Sequence, residues 1–174
     1  MHKTHIIRHE NTLKFIEKHI SREETILDLG TENDLSSFIK ENGFDVQNTG
    51  GENLDTDFQI YANSDRTVLT AFEIFEHMLA PFNILNNSKA DKLVASIPLK
   101  LWFASAYWDN KNDWDKHYHE FEVKQFDFLL EKSGWEIKDS ALWKSYDSFP
   151  RGIRPLLRRF YPRYYIVYCE RKKA

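Results

Sequence analysis

The chain has one cysteine, Cys169, so no intrachain disulfide can staple it. Its six glycines and five prolines are scattered over 174 residues, with no repeat, low-complexity tract or Gly/Ser linker to mark a domain boundary. No apolar run approaches the roughly 20 residues needed to cross a bilayer. The first residues set His2, Lys3, His5 and Arg8 around only Ile6 and Ile7, which is no signal-peptide core. These absences lead to the expectation of a cytoplasmic protein without a transmembrane segment. What is present is apolar and aromatic: 41% hydrophobic residues and 15% Phe, Trp and Tyr, too much for a disordered chain. The length suits one domain, residues 1–174, burying roughly 70% of its unfolded surface.

Charge is unevenly spread. Residues 145–174 hold eight basic side chains (Arg151, Arg154, Arg158, Arg159, Arg163, Arg171, Lys172 and Lys173) against Asp147 and Glu170. That end carries a net +6, so the preceding 144 residues carry −9 of the chain's −3. A basic segment at 150–163, with Leu156, Leu157, Phe160 and Tyr161 among its arginines, suits a solvated face, a phosphate-bearing acceptor or a peripheral membrane contact through 153–165.

Hydrophobic spacing alternates between two periods. Leu13, Ile16 and Ile20 give a helical stripe over 11–20. Residues 25–29 form a short, β-branched run stopped by Gly30. Leu35, Phe38 and Ile39 repeat at helical spacing behind Asn33 and Asp34, with Gly43 as the cap. Further strands are expected at 44–48, 68–72, 92–97, 135–137 and 164–169. Residues 73–77 are expected to lead into a helical stretch interrupted at Pro81, an amphipathic helix is expected over 122–133, and 51–64 reads as irregular. Strands alternating with helices predict an α/β, Rossmann-like fold, a mostly parallel sheet with helices on both faces and an antiparallel edge strand.

The order of four segments resembles the class I S-adenosylmethionine-dependent methyltransferases: Ile26-Leu27-Asp28-Leu29-Gly30, the stretch Leu69 to Met78, Leu93-Val94-Ala95-Ser96-Ile97-Pro98, and His119-Glu120-Phe121 running on to Gly134-Trp135. The resemblance implies S-adenosylmethionine as cofactor, bound by Asp28, Gly30, Thr31, Glu32, Asp55, Ala71, Phe72 and Glu73. Two departures stand out. The family's Gly-x-Gly-x-Gly turn reads Gly30-Thr31-Glu32-Asn33-Asp34, with side chains where backbone would approach the ligand. The ribose-binding acid expected near residues 48–50 is missing, leaving Glu52 or Asp55 to replace it. Glu32 offers a carboxylate that would pair with the cofactor's ammonium, or else a solvated loop acid.

Glu73, Glu76 and His77 stand at i, i+3, i+4, one face if the segment is helical. Together with His119, or His117 as the competing choice, they are similar to the Glu-x-x-Glu-His and later His of metal-dependent small-RNA 2'-O-methyltransferases. The resemblance implies a divalent metal such as magnesium, held by Glu73, Glu76, His77 and His119. A hydroxyl acceptor must also lose a proton, and His77 and His119 are the expected catalytic residues. Residues 99–121 hold Trp102, Phe103, Tyr107, Trp108, Trp114, Tyr118 and Phe121, an aromatic lid about half of which is expected to be core. Its acidic interleaving argues against nucleic acid as substrate. The expected activity is methylation on oxygen of a small or carbohydrate-like acceptor. The rival expectations are a catalytically silent methyltransferase-like binding protein and a metal-dependent hydrolase built on the Glu/His cluster.

Overall fold

The computed structural model describes residues 3–144, 157 and 160–173. Four arginines of the basic segment, at 151, 154, 158 and 159, lie outside the described residues, and so do six of the thirteen residues of the suggested membrane-contact stretch, 153–165. No described helix is long and apolar enough to cross a membrane.

Six strands form one sheet: β1 (Thr25–Asp28), β2 (Asp45–Asn48), β3 (Val68–Phe72), β4 (Lys92–Pro98), β5 (Trp135–Lys144) and β6 (Pro162–Arg171), in the order β2-β1-β3-β4-β6-β5. The first four are parallel, and β6 runs antiparallel between β4 and β5 at the far edge. The short runs underestimated β5 and β6, each ten residues long. β5 alternates exposed and covered positions, so its apolar signal fades after Ile137 although its ladder continues.

The period-2 alternation of the buried strands sorts their side chains onto two faces. Leu27, Leu69, Ala71, Leu93 and Val167 join one core with Ile84, Leu85, Phe126 and Leu130, while Ile26, Val68, Val94 and Ile166 join the other with Leu13, Ile16, Leu35 and Ile39. The helices α1 (Lys3–His19) and α2 (Asp34–Glu41) cover the second face; α3 (Gln59–Ala62), α4 (Pro81–Asn87) and α5 (Val123–Lys132) are associated with the first. Asn33 caps α2 as expected, accepting from the amides of Leu35 and Ser36, and Gly43 follows it at φ +88°. Two local expectations fail. Pro81 does not interrupt a helix but begins α4, where its missing N–H costs nothing. The irregular stretch contains the single turn α3, too short for a periodic signal.

The strand order reverses between β1 and β3, since β1 connects outward to β2 and the chain then returns to β1's other side. The crevice beyond the carboxyl ends of these two strands is where open sheets of this kind hold ligands.

Candidate functional site

Two cavities open there, of about 340 Å³ and about 390 Å³, each within the roughly 300–1,000 Å³ typical of small-molecule sites. Their linings divide at two consecutive peptide steps. Leu29 and Glu73 line the smaller cavity; their successors Gly30 and Ile74 line the larger. Gly30 has φ +104°, and a Cβ added there would lie 3.0 Å from the Ile74 Cδ1 atom, so glycine is required both by its conformation and by this close approach.

The smaller cavity is polar and carries both charge signs. Arg8 of α1 donates to both oxygens of Glu73 at 2.7 Å, and Asp28, Asp34 and Ser96 are among the other polar residues of its wall. Glu73 sits at φ 56°, a left-handed conformation uncommon for a residue with a side chain. This breaks the expected helical face: only Phe75–His77 form a 3-10 turn, and Glu73 turns toward Arg8. Asp28 is 3% exposed and accepts from the Thr70 hydroxyl at 2.6 Å and the Asn48 amide at 2.9 Å. Burial pushes its carboxyl up to about 7, against the lowering influence of those two hydrogen bonds.

The larger cavity is mostly apolar, walled by Leu54, Ile74, Met78 and Trp114, with Thr31, Glu52, Asp55 and His77 at its margins. Both proposed substitutes for the ribose-binding acid reach it. Asp55 accepts from the backbone amides of Leu79 and Ala80 at 2.9 and 2.7 Å, which ties down the start of α4. Glu52 accepts from Tyr61 Oη at 2.5 Å, and Tyr61 in turn accepts from the Gly50 amide. Glu32 lines neither cavity; it turns outward to Lys40 at 3.0 Å and Ser37 at 3.1 Å, because α2 brings both partners within reach. Ala71 also drops out of the site, its methyl fully buried in the core, whereas Phe72 lines the smaller cavity.

Beside the larger cavity stands a cluster that the sequence placed only in part. Glu76, His77 and His117 bring one ligand atom each to within 4.8 Å of one another. Glu76 is 1% exposed, and neither of its oxygens has a hydrogen-bond partner among the described residues. Burial first, and the Glu73 charge second, push its carboxyl well above the ordinary carboxylate range. Burial lowers the His77 pKa, reinforced by His117, so this imidazole stays neutral near pH 7. The loop after β4 is tied over the 3-10 turn, since the Tyr118 and His119 amides both donate to the Glu76 carbonyl, at 2.8 and 3.2 Å. Of the expected set of Glu73, Glu76, His77 and His119, Glu73 is engaged by Arg8, and the group that converges contains His117, the competing choice, in place of His119. His119 tilts against Phe121, with its Nε2 buried and unpartnered among the described residues.

The aromatic loop is more exposed than expected. Phe121 is the only one of its seven rings that is buried, and Trp102 and Trp114 are 71% and 64% exposed. Phe103, Tyr107 and Trp108 line a hollow of about 280 Å³ with Glu120 and Arg163. Arg8, Tyr61 and Glu120 were not singled out from the sequence; each acts through a partner or cavity that the pattern of its own segment does not reveal.

No protein-family profile and no curated protein matches this sequence. Solved structures share the fold. A chain from the complex of the Haloferax volcanii Trm112 methyltransferase activator aligns over 95% of this chain and 91% of its own, at 10% identity and a TM-score of 0.64. Magnesium protoporphyrin IX methyltransferase from Synechocystis PCC 6803, solved with S-adenosylhomocysteine, aligns over 97% and 84%, at 9% identity and 0.54. The [4+2]-cyclase SpnF aligns over 95% and 82%, at 12% identity and 0.59. The chain thus has the Rossmann-like fold of class I S-adenosylmethionine-dependent methyltransferases. One of these neighbours is named for a cyclisation, so the fold by itself does not fix the chemistry.

Proposed function

We propose that the chain is an S-adenosylmethionine-dependent methyltransferase acting on a hydroxyl of a small or carbohydrate-like acceptor. The observation that carries this reading is the pair of cavities meeting across Gly30. The larger has an apolar wall for a purine and two acids for ribose hydroxyls. The smaller sets Arg8 beside Asp28, Asp34 and Glu73, opposite charges that complement the carboxylate and ammonium of an amino acid. Bound there, the cofactor supplies a sulfonium-linked methyl group to a nucleophile. The chain's own part is to align that nucleophile with the departing sulfur and to exclude water.

A hydroxyl acceptor must also lose a proton. His119, whose buried Nε2 has no hydrogen-bond partner among the described residues, is one candidate base; His77, in the wall of the larger cavity, is the other, and serves only while its Nε2 is unligated. The hollow under Tyr107 and Trp108 offers aromatic faces together with Glu120 and Arg163, a combination suited to a small polar ring, and Arg163 favours one that bears phosphate.

A second reading has its own observation. Ile74 presses on Gly30 at the junction of the cavities, and Arg8 bridges to Glu73 across the smaller one, features that favour a methyltransferase-like binding protein without catalysis. Titration with S-adenosylmethionine and S-adenosylhomocysteine separates the two. At 100 times the dissociation constant, a ligand of the native state adds about 2.7 kcal/mol, and melting rises by about 5–10 °C for a chain of this size. No shift with either compound at millimolar concentration rejects the enzyme reading.

A further inference from the structure

We infer that Glu76, His77 and His117 form a binding site for one divalent transition-metal ion. The argument begins with tautomers. His77 Nδ1 lies 3.2 Å from the Lys116 carbonyl oxygen, which only accepts, so this nitrogen carries the proton and Nε2 carries the lone pair. His77 Nε2 lies 3.8 Å from Glu76 Oε1, too far for a hydrogen bond. His117 Nδ1 likewise faces the Glu120 carboxylate at 3.2 Å, which leaves its Nε2 as the free lone pair. The two rings stand edge to face with centroids 4.8 Å apart.

Three potential ligand atoms therefore converge, and one belongs to a carboxyl group that is 1% exposed with neither oxygen hydrogen-bonded among the described residues. Native proteins rarely leave such a group orphaned. A cation satisfies all three at once. Carbonyl and carboxylate partners on the outer nitrogens are the arrangement that orients metal-binding histidines. Closure by about an ångström brings the ligand atoms to the roughly 2.0–2.2 Å bonds of a zinc-type ion. Two imidazoles among three ligands favour zinc, cobalt, iron or manganese over magnesium. His77 also lines the larger cavity, so the ion would border the space assigned to the ligand. The site does not depend on the methyl-transfer reading.

The test uses the whole chain, freed of metal with a chelator and titrated with Co²⁺ alone, its visible absorption reporting coordination, followed by displacement with Zn²⁺. One equivalent of Co²⁺ per chain is expected. Glu76→Gln and His117→Ala should each weaken binding by at least about 100-fold, and Glu120→Gln by about 10–100-fold, the usual cost of losing an outer partner. Glu73→Gln and His119→Ala should bind as the wild type does. His117→Asn serves as a second variant, and a melting curve of each protein confirms that it is folded. Absence of Co²⁺ uptake by the wild type, unchanged affinity in folded His117 variants, or loss on His119→Ala alone would each overturn the site. No S-adenosylmethionine is present, so failure here and failure of the cofactor titration are separate results.

Discussion

Asp28 and Glu76 are the two acids sunk deepest among the described residues, at 3% and 1% exposure, and they are treated in opposite ways. Asp28 ends β1 between two neighbouring strands, and each neighbour supplies a donor: Thr70 from β3 and Asn48 from β2. Glu76 lies in a 3-10 turn that leaves the sheet, its ligand atom converges with those of His77 and His117, and neither of its oxygens is hydrogen-bonded among the described residues. The sheet register dictates the first arrangement, because parallel pairing aligns Asp28 with both donors. Nothing in the local hydrogen bonding explains the second. A buried carboxylate with its partners in place reads as architecture; one without them reads as a site awaiting a ligand.

The sharpest way to break this contrast is to remove each carboxylate from the metal-free protein and measure urea unfolding. Asp28→Ala strands the Thr70 hydroxyl and the Asn48 amide, an expected loss of about 2–4 kcal/mol. Glu76→Met removes an unsatisfied group of similar size and should be neutral or stabilising by about 1–3 kcal/mol. Equal losses in both would show that Glu76 has partners after all.

The pH dependence tests Asp28 further. Its native pKa of about 7 lies above its ordinary value of 3.8, so between those limits the folded state holds the proton more tightly than the unfolded one. Its contribution to stability is therefore most favourable below about pH 4, declines as pH rises, and levels off above about pH 7. Melting temperatures of Asp28→Asn should fall less than those of the wild type between pH 5 and pH 8. Parallel curves would mean that Asp28 is not the titrating group.

A smaller effect is expected at the ridge between the cavities. Gly30→Ala places a methyl group 3.0 Å from Ile74 at a positive φ, a cost of about 1–2 kcal/mol in chemical denaturation. Calorimetry should also show weaker S-adenosylmethionine binding. The smallest change is assigned to Arg8→Met. Its ion pair with Glu73 is about a quarter exposed on both sides, and solvent screening keeps such pairs below about 1 kcal/mol. A Tm drop equal to that of Asp28→Ala would make the Arg8 bridge part of the fold rather than part of the cavity.

Much of this arrangement was legible in the residues. The run ending at Gly30, the Asn33 cap, strand β3 and the helix before Gly134 follow from apolar period and capping chemistry, which act over a few residues. The candidate site was legible only in fragments. Glu73, Glu76 and His77 fit helical spacing, yet the left-handed backbone at Glu73 sends its carboxylate to an arginine 65 residues away. Glu32 sits in the cofactor turn by sequence, but its side chain is captured by α2. The exposure of the 99–121 rings was missed because aromatic content signals burial without saying which rings a core has room for.

The sequence by itself determined the alternation of strand and helix, the glycine after β1 and the supply of acids and imidazoles after β3, since each is written in spacing along one segment. Tertiary structure decided which of those groups meet. The choice of His117 over His119, the placement of Arg8 against Glu73 and the isolation of the Glu76 carboxylate all depend on segments distant in the chain being carried to one end of the sheet. Periodicity is a local property of the chain; convergence of side chains is set by the path of the loops between strands.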